Sequence, residues 1–318
     1  MNICLIGAGY MAKEYVKIFN HLSLNYKIIG RTKKCTEQIT GVKNDKRVLF
    51  GGVERNNFAL KNCERIINAV DIGNIYKTTV MLLENGYNNI LLEKPAFTNP
   101  EEYEFILTKY ASKNIYVAYN RRYYRNADYL LKYFSEHGNP SSAHFEFTER
   151  ILQIQKNPSN RKYFSDWLLA NSSHVIDLGF FLIGQPKEIS AESAKVDGLS
   201  LNENTKNLYY GMGKTLKNVY FTYHSNWSSS GNWNIKIMHK NGLFVLNPLE
   251  TLKFQPLGHN AGKKVMEEVT PGKPGLLNLV QDFVRKKPSS KLPNLQMQSE
   301  FLSLINKIKD GSNQTDTF

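Results

Sequence analysis

The chain has 318 residues, of which 41% are apolar, and a formal net charge of +13. That length suits two domains or one large domain, and that composition is ordinary for a globular protein with a sizeable core. Because no run approaches about eighteen uninterrupted apolar residues, no membrane span and no membrane partner are expected. The first residues lack the charged, apolar and cleavable regions of a signal peptide, so a cytoplasmic protein is expected.

The positive charge is scattered along the chain. Its densest clusters, residues 31–34 and 285–287, are short, and no zinc-finger spacing or RNA-binding signature accompanies them. A phosphorylated small ligand explains the charge at least as well as a polymer does, and no nucleic-acid partner is expected. The chain has three cysteines, Cys4, Cys35 and Cys63, and no two of them are close in sequence. An odd number without a close pair predicts neither a disulfide framework nor a zinc site.

The N-terminal stretch predicts a dinucleotide-binding turn. Residues 2–6 form an apolar run, Gly7-Ala8-Gly9-Tyr10-Met11-Ala12 follows, and apolar side chains then recur at helical spacing. In such a strand–turn–helix unit, Gly7 permits the tight turn, Gly9 lets the backbone approach a pyrophosphate and Ala12 permits close helix–strand packing. The free N–H groups at the helix start face the anion.

The end of the second predicted strand, residues 27–29, bears on the choice of cofactor. An NAD-specific turn places a carboxylate about 20 residues beyond the glycines, where it binds the ribose hydroxyls. Here Gly30, Arg31 and Thr32 occupy that place. Because no carboxylate is present to repel a 2′-phosphate and a guanidinium is present to bind one, NADP is the preferred cofactor, with NAD as the alternative.

The alternation of strands and helices continues to about residue 122. Further strands are predicted over residues 48–50, 64–70, 90–92 and 114–118, with helices over 76–85 and 101–111. This alternation predicts a doubly wound parallel sheet. In such sheets ligands bind outside the carboxyl ends of the strands, where Glu93-Lys94-Pro95 and Asn120-Arg121 stand.

Beyond residue 123 strands dominate. They are predicted over residues 143–147, 188–194, 208–212, 218–223, 234–239 and 242–246, with helices over 127–135, 173–183, 276–284 and 295–308. The predicted architecture is α/β: a Rossmann domain, residues 1–122, and an α+β domain with a large, mostly antiparallel sheet, residues 123–318. The final helix is a candidate to pack back on the first domain.

Four stretches in order resemble one family. They are the Gly7 turn, Glu93-Lys94-Pro95, Asn120-Arg121-Arg122-Tyr123 and His174-Val175-Ile176-Asp177. Together they resemble the Gfo/Idh/MocA (glucose–fructose oxidoreductase, inositol dehydrogenase) family of NAD(P)-dependent oxidoreductases. The resemblance implies that Lys94 and His174 are the catalytic residues, and that the protein is a homodimer or homotetramer.

The motifs and the resemblance together predict the site residues. Those assigned to the cofactor are Gly7, Gly9, Tyr10, Met11, Arg31, Thr32, Asn74, Glu93, Lys94 and Asn120. Those assigned to the substrate are Lys94, Arg121, Tyr163, Asn171 and His174. No metal site is predicted.

The chain departs from the family pattern in two places. Ala170 stands four residues before His174, where the family often has an aspartate, so the carboxylate–imidazole pair expected one helical turn apart cannot form. Asn171, Ser172 and Asp166 are candidates to replace it. The loop over residues 71–77 also lacks a histidine that is common in the family.

The leading hypothesis is hydride transfer between a nicotinamide cofactor and a sugar or nucleotide-sugar derivative, with Lys94 and His174 handling protons. One alternative is reduction of a non-sugar imine or carbonyl. Another is an NADP-binding sensor or scaffold without turnover, which the departures at Ala170 and residues 71–77 favour.

Overall fold

A computed structural model of the chain describes residues 1–42, 44–157, 163–197, 205–311 and 316–317. These residues form two compact units. The first comprises Met1–Tyr123 with Thr270–Glu300, and the second comprises Tyr124–Val269 with Phe301–Phe318. The predicted domain limits of 1–122 and 123–318 stay a prediction, and the structure adds residues 270–300 to the first unit.

The first part of the chain, up to Tyr123, alternates strands and helices. Its strands are β1 (Asn2–Ile6), β2 (Asn25–Gly30), β3 (Val48–Phe50), β4 (Arg65–Asn68), β5 (Ile90–Glu93) and β6 (Ile115–Ala118). Its helices are α1 (Tyr10–His21), α2 (Lys33–Thr40), α3 (Gly52–Arg55), α4 (Asn57–Leu60), α5 (Ile75–Glu84) and α6 (Pro100–Lys109), and a 3₁₀ turn covers Asn120–Tyr123.

The remainder of the chain is richer in strands. Its helices are α7 (Arg125–His137), α8 (Ile151–Ile154), α9 (Ser173–Ile183), α10 (Leu276–Phe283) and α11 (Leu295–Asp310). Its strands are β7 (Ser142–Phe147), β8 (Pro186–Ala194), β9 (Leu208–Thr215), β10 (Tyr220–Asn226), β11 (Trp233–His239), β12 (Gly242–Leu246), β13 (Thr251–Pro256), β14 (Lys263–Glu267) and β15 (Asp316–Thr317).

The first unit contains a six-stranded sheet in the order β3-β2-β1-β4-β5-β6. Every neighbouring pair is parallel, so the carboxyl ends of all the strands share one edge. The chain order reverses between β1 and β4, which makes the carboxyl end of β1 a ligand-binding position. The predicted doubly wound parallel sheet is confirmed.

Helix α10 belongs to the core of the first unit. Its side chains at Leu276, Leu279, Val280 and Phe283 are fully buried in the same apolar cluster as Leu5. Their spacing of three, four and seven residues is that of one helix face, and burying that face against the parallel sheet removes it from water. This packing explains why residues 270–300 group with the first unit.

Asp282 on α10 is the centre of a buried hydrogen-bond network. Its carboxylate accepts from Tyr123 Oη at 2.6 Å, Ser289 N at 3.0 Å and Ser289 Oγ at 2.5 Å. Burial favours the neutral acid, but hydrogen bonds from Ser289 and Tyr123 outweigh it and hold the pKa of Asp282 below its usual value. The network closes the loop after α10.

Replacing Asp282 by Asn is expected to lower the stability of the protein by about 1–3 kcal/mol at neutral pH, since buried donors lose an ionised acceptor. Because the folded pKa is depressed, this contribution is complete above the unfolded pKa of about 4 and is lost as pH falls through the folded value. Thermal unfolding of D282N and wild type should therefore differ most near pH 7 and converge in acid. Glu136→Gln, at an exposed pair, is the control with little expected effect. A pH-independent difference would contradict the assignment.

The second unit contains a nine-stranded sheet in the order β14-β13-β12-β11-β7-β10-β9-β8-β15. Its pairs are antiparallel except β10 with β7. Helix α9 lies close to β7 at Gly179, where a Cβ atom would come within 2.7 Å of the Phe145 ring. The predicted α+β architecture is confirmed.

Several elements of the structure were not predicted. Strands β13 and β14 were not predicted, and β14 carries an exposed, charged sequence, Lys263-Lys264-Val265, that lacks a clear apolar alternation. The prediction that no disulfide is present was also wrong, because Cys4 and Cys63 are bonded with their Cα atoms 5.9 Å apart. The parallel pairing of β1 with β4 brings together these residues, which are 59 positions apart in sequence.

No helix in the described residues is long and apolar enough to cross a membrane.

Candidate functional site

The turn after β1 is shaped to receive an anion. Gly7 has a φ of +119°, and a Cβ atom there would lie 2.4 Å from the carbonyl oxygen of Ala69. A Cβ on Gly9, by contrast, would meet no atom within 4 Å. Gly9 is also the N-cap of α1, so the first N–H groups of that helix are directed towards this open space. The turn therefore fits a pyrophosphate.

The three residues that follow Gly9 differ in their exposure to solvent. Tyr10 is 68% exposed and Met11 is half-buried, whereas Ala12 is fully buried. Tyr10 thus covers the outside of the turn, and Ala12 allows α1 to pack closely on the sheet. Met11 is in contact with a lysine that the sequence did not single out, because Lys273 Nζ lies 3.4 Å from its Sδ atom.

Arg31 and Thr32 follow β2, and Asn74 is the N-cap of α5 in the connection after β4. Arg31 is exposed and donates from Nη2 to Asn74 Oδ1 at 3.4 Å, and Asn74 donates in turn to Asp71 Oδ2 at 2.8 Å. Thr32 is the N-cap of α2 and accepts from Cys35 N at 3.4 Å. A guanidinium and a helix N-terminus therefore lie side by side, which suits a phosphate group.

Gly30 shows why no acidic side chain stands at the end of β2. A Cβ atom at this position would lie 2.0 Å from Thr36 Oγ1. The Thr36 hydroxyl is itself held by a 2.6 Å hydrogen bond to the carbonyl of Thr32. The packing of α2 on β2 thus excludes a ribose-binding carboxylate from residue 30.

Lys94 lies in a loop that is held from several sides. The chain turns after β5, where Ala96 N donates to Glu93 O at 2.9 Å, and the Lys94–Pro95 peptide is cis. Buried Tyr103 donates to Pro95 O at 2.8 Å and accepts from Phe97 N at 3.1 Å. Gln298 donates to the same Pro95 carbonyl at 3.0 Å. These bonds fix the backbone from which the half-buried Lys94 side chain extends.

Glu93, next to Lys94, is linked to the helix of the glycine turn. Tyr15 on α1 donates to Glu93 Oε1 at 2.6 Å. Burial raises the pKa of the Glu93 carboxyl, while Lys273, the Tyr15 hydrogen bond and Lys94 oppose that rise. Glu93 therefore connects α1, the helix of the glycine turn, to the Lys94 loop.

Lys273 is a residue of this region that sequence reasoning missed. Burial lowers the pKa of its amine, and Glu93 opposes that shift. Arg121 is close enough to lower the pKa of Lys273 further. Nothing in the local pattern Pro271-Gly272-Lys273-Pro274-Gly275 identifies it, since only the return of residues 270–300 to the first unit brings it here.

Asn120 and Arg121 follow β6, as predicted, and both are buried. Asn120 Nδ2 donates to Pro274 O at 2.7 Å and so fastens the Lys273 loop at the strand ends. With Lys94 and Lys273, Arg121 places three basic side chains at this edge, near the carboxylates of Glu93 and Glu14. The arrangement suits an anionic or polarised group.

In the second unit, His174 lies near the start of α9. It is 4% exposed, and its ring centroid is 6.1 Å from that of Trp233 on β11. The preceding residues, Leu168–Ser172, form a π-helical turn that contains Ala170. Of the predicted replacements for the missing carboxylate, Asp166 is engaged with Lys309 at 3.3 Å.

The other two candidates, Asn171 and Ser172, converge on a carboxylate from a different element. Asn171 Nδ2 donates to Glu149 Oε2 at 2.9 Å, and Ser172 Oγ donates to Glu149 Oε1 at 2.6 Å. Glu149 follows β7 and is 4% exposed. A buried carboxylate therefore stands beside the π-helical turn although the turn itself has none.

Glu149 and Trp233 line a cavity of about 530 Å³ within the second unit. Its other lining residues are Thr148, Arg150, Gln153, Ile154, Asn232, Asn247, Pro248, Leu249 and Glu250. The predicted substrate residues Tyr163, Asn171 and His174 are outside this lining, although Asn171 and His174 contact residues within it. Tyr163 lies in a short 3₁₀ turn before the π-helical turn.

The structure thus brings together the predicted residues of the first unit. Gly7, Gly9, Tyr10, Met11, Glu93, Lys94, Asn120 and Arg121 lie at the carboxyl edge of the parallel sheet, with Arg31, Thr32 and Asn74 at the ends of β2 and β4. In the second unit, His174 and Asn171 are associated with the residues around Glu149. The roles of all these residues stay predictions.

No family model and no curated protein matches the sequence. Solved structures do match over nearly the whole chain. An oxidoreductase from Agrobacterium radiobacter in complex with NAD+, L-tartaric acid and magnesium has a TM-score of 0.81 and 12% identity, covering 100% of this chain and 98% of the other. Levoglucosan dehydrogenase in complex with NADH and L-sorbose has a TM-score of 0.77 and 15% identity, covering 98% and 96%.

A further match is UDP-N-acetylglucosamine 3-dehydrogenase from Acidithiobacillus ferrooxidans, with a TM-score of 0.71, 14% identity and 98% of each chain covered. These neighbours are oxidoreductases of the Gfo/Idh/MocA type. The resemblance indicated by the motifs is therefore confirmed for the fold, because identities this low establish the architecture and no more.

Proposed function

We propose that the protein is an NAD(P)-dependent oxidoreductase that transfers a hydride between a nicotinamide cofactor and a sugar or nucleotide-sugar derivative. The observation that carries this proposal is the position of Lys94. Its loop, fixed by Tyr103 and Gln298, stands at the same sheet edge as the open space over Gly9. The three solved structures named above are dehydrogenases or oxidoreductases, and two of them are described with NAD+ or NADH.

The bound nicotinamide supplies the hydride chemistry, and the chain's own residues supply position and protons. Oxidation of a carbinol requires a group that takes the hydroxyl proton, and reduction requires one that returns it. Lys94 serves in this role, and in its charged form it polarises the carbonyl oxygen during reduction. His174 is the second proton-handling group of the proposal, because an imidazole can both donate and accept a proton.

NADP is the proposed cofactor, because Arg31 and the N-terminus of α2 offer a place for a 2′-phosphate. Arg31→Ala is expected to weaken NADPH binding about tenfold or more, since a hydrogen bond to a charged group contributes about 1.5–3 kcal/mol. Binding of NADH, which lacks the phosphate, serves as the internal control and should change little. Titration followed by cofactor fluorescence measures both. Wild-type protein that binds NADH as tightly as NADPH would contradict the assignment of Arg31.

A sugar is the proposed substrate because of the chemistry of the cavity in the second unit. Its lining combines the face of Trp233 with carboxylates and amides such as Glu149 and Asn232. Flat apolar faces and polar acceptors together suit a polyhydroxylated ring. Levoglucosan dehydrogenase and UDP-N-acetylglucosamine 3-dehydrogenase, which share the fold, are named for sugar or nucleotide-sugar substrates.

The proposal is tested with a panel of sugars and nucleotide sugars in both reaction directions, using NADPH and NADH. We expect turnover with at least one of them. Turnover only with an imine or a non-sugar carbonyl would favour the alternative reductase. Nucleotide binding without any turnover would favour a sensor or scaffold. The absence of a carboxylate at Ala170 is consistent with that alternative.

A homodimer or homotetramer is proposed from one face of the large sheet. Tyr210, Met212 and Tyr220 on neighbouring strands β9 and β10 are 45%, 63% and 60% exposed. Large exposed side chains of this kind, here beside Lys214, Thr222 and His224, occur at protein interfaces. Light scattering that gave a monomer mass at micromolar concentration would contradict the oligomer.

A further inference from the structure

The connection between β4 and α5 is a tight turn built around Asp71. Asn74 N donates to the Asp71 carbonyl oxygen at 2.9 Å, and Gly73 N donates to Asp71 Oδ1 at 3.2 Å. An aspartate side chain that binds the backbone two residues further on is a common way to stabilise a turn. These bonds fix the carboxylate of Asp71 relative to the start of α5.

The side chain of Asn74 is not used to cap its own helix. Asn74 is the N-cap of α5, where an asparagine oxygen usually accepts from the first backbone N–H groups of the helix. Within residues 71–84, which the structure describes throughout, the Asn74 side chain makes no such bond. Its Nδ2 atom donates instead to Asp71 Oδ1 at 3.0 Å and to Asp71 Oδ2 at 2.8 Å. Because a carboxylate accepts hydrogen bonds, the amide nitrogen faces Asp71 and the amide oxygen is turned the other way.

The amide oxygen of Asn74 faces Arg31. Arg31 Nη2 donates to Asn74 Oδ1 at 3.4 Å. The backbone of Arg31 is held as well, because Gly51 N donates to the Arg31 carbonyl oxygen at 3.2 Å. Strands β2 and β4 lie on either side of β1, so the contact between Arg31 and Asn74 passes across the carboxyl end of β1. A chain of hydrogen bonds thus runs from the Asp71 carboxylate through the Asn74 amide to the guanidinium.

Fixing the guanidinium in advance favours binding of a phosphate. A free arginine side chain has many rotamers, and the freedom that it loses on binding opposes the association. The guanidinium is a planar fork with several N–H donors, so it can bind an amide oxygen and a phosphate at the same time. Arg31 is exposed, so a ligand can reach it from solvent.

We propose that Asn74, oriented by Asp71, is a positioning residue that holds Arg31 for the 2′-phosphate of NADP and thereby strengthens the preference for NADP over NAD. This inference rests on the proposed function, in which Arg31 binds that phosphate. It gives Asn74 a role that is exerted through Arg31, whereas the sequence assigned Asn74 to the cofactor directly. NAD lacks the 2′-phosphate, so its affinity does not depend on Asn74.

The test measures the affinities of the full-length protein for NADPH and NADH by fluorescence titration. Asn74→Ala is expected to weaken NADPH binding about three- to tenfold, the usual cost of ordering one flexible side chain on binding. The affinity for NADH should change little, so the ratio of the two affinities falls. Asn74→Ser is the second variant. Its hydroxyl can cap α5 but is too short to replace the amide, so it should keep the fold and show the same fall in the ratio.

A double variant separates positioning from direct contact. In an Arg31→Ala background, Asn74→Ala should not weaken NADPH binding further, because the residue through which it acts is already removed. Asn85→Ala is the matched control at the other end of α5. Asn85 is the C-cap of that helix and donates from Nδ2 to Met81 O at 2.7 Å, and its loss should leave both affinities unchanged. Thermal unfolding of each variant shows whether the fold is kept.

The inference is overturned if both Asn74 variants keep the wild-type ratio or lose affinity for NADPH and NADH equally. An additive loss in the double variant also overturns it, because Asn74 would then contact the cofactor itself. In these cases wild-type nucleotide binding with turnover leaves the proposed function standing. A wild type that binds neither nucleotide defeats the inference and the proposed function together.

Discussion

Lys94→Ala is expected to lower the turnover number about 10²–10⁴-fold on any substrate of the protein, the usual range for loss of a general acid or base. The Lys94 amine is the proposed proton donor and acceptor at the reacting oxygen. Turnover should therefore depend directly on this side chain. Its backbone is fixed by Tyr103 and Gln298, so truncation of the side chain should leave the turn intact. The affinity for the nicotinamide cofactor is expected to stay nearly unchanged. Steady-state kinetics and fluorescence titration measure the two quantities.

Lys113→Ala is the matched control for the lysine. Lys113 is also half-buried and donates to Gly86 O at 2.8 Å, but it precedes β6 at the opposite edge of the parallel sheet. It should therefore retain wild-type turnover. Survival of turnover in Lys94→Ala would show that Lys94 does not handle the proton and would remove the central residue of the proposed function.

Gly9→Ala is expected to weaken NADPH binding on the order of a hundredfold, because a methyl group would occupy the space that the pyrophosphate needs. Gly9 has an ordinary φ of −88°, and a Cβ atom would touch nothing in the protein. The thermal unfolding temperature of the protein without cofactor should therefore not change. Fluorescence titration and thermal unfolding together separate the effect on binding from any effect on folding.

Gly7→Ala provides the contrast. Here a Cβ atom would lie 2.4 Å from Ala69 O in a backbone with φ of +119°, so the protein itself should lose about 1–3 kcal/mol of stability. Normal NADPH binding by Gly9→Ala would mean that the cofactor does not pass over this turn. Both glycines belong to the same motif. The expected effects of the two substitutions differ because the backbone crowds Gly7 and leaves Gly9 open.

The parts of the site that were predictable lie next to strand ends. Gly7 and Gly9 follow β1, Lys94 follows β5 and Asn120 follows β6, so a local pattern of apolar strand and polar turn was enough to single them out. Arg31 was found by counting residues from the glycines. In each case the candidate site residue and the strand that positions it are adjacent in sequence.

Lys273 and Glu149 were not predictable in this way. Lys273 is 262 positions from Met11, with which it is in contact, and reaches it only because the segment after β14 returns to the first unit. Glu149 stands next to Arg150 in a polar stretch that reads as an ordinary strand end. Its importance depends on Asn171 and Ser172, which are 22 and 23 positions away. Contacts at such separations leave no periodic signal in the sequence.

The sequence by itself determined the fold class, the doubly wound parallel sheet and the residues that directly follow its strands at the carboxyl edge. These follow from local alternation of apolar and polar residues, which specifies a strand or a helix through backbone geometry. Only the tertiary structure decided that α10 packs in the first unit, that Cys4 meets Cys63 and that Glu149, which follows β7, accepts hydrogen bonds from Asn171 and Ser172. Those arrangements depend on which apolar faces bury one another, and such pairings are properties of the folded chain as a whole.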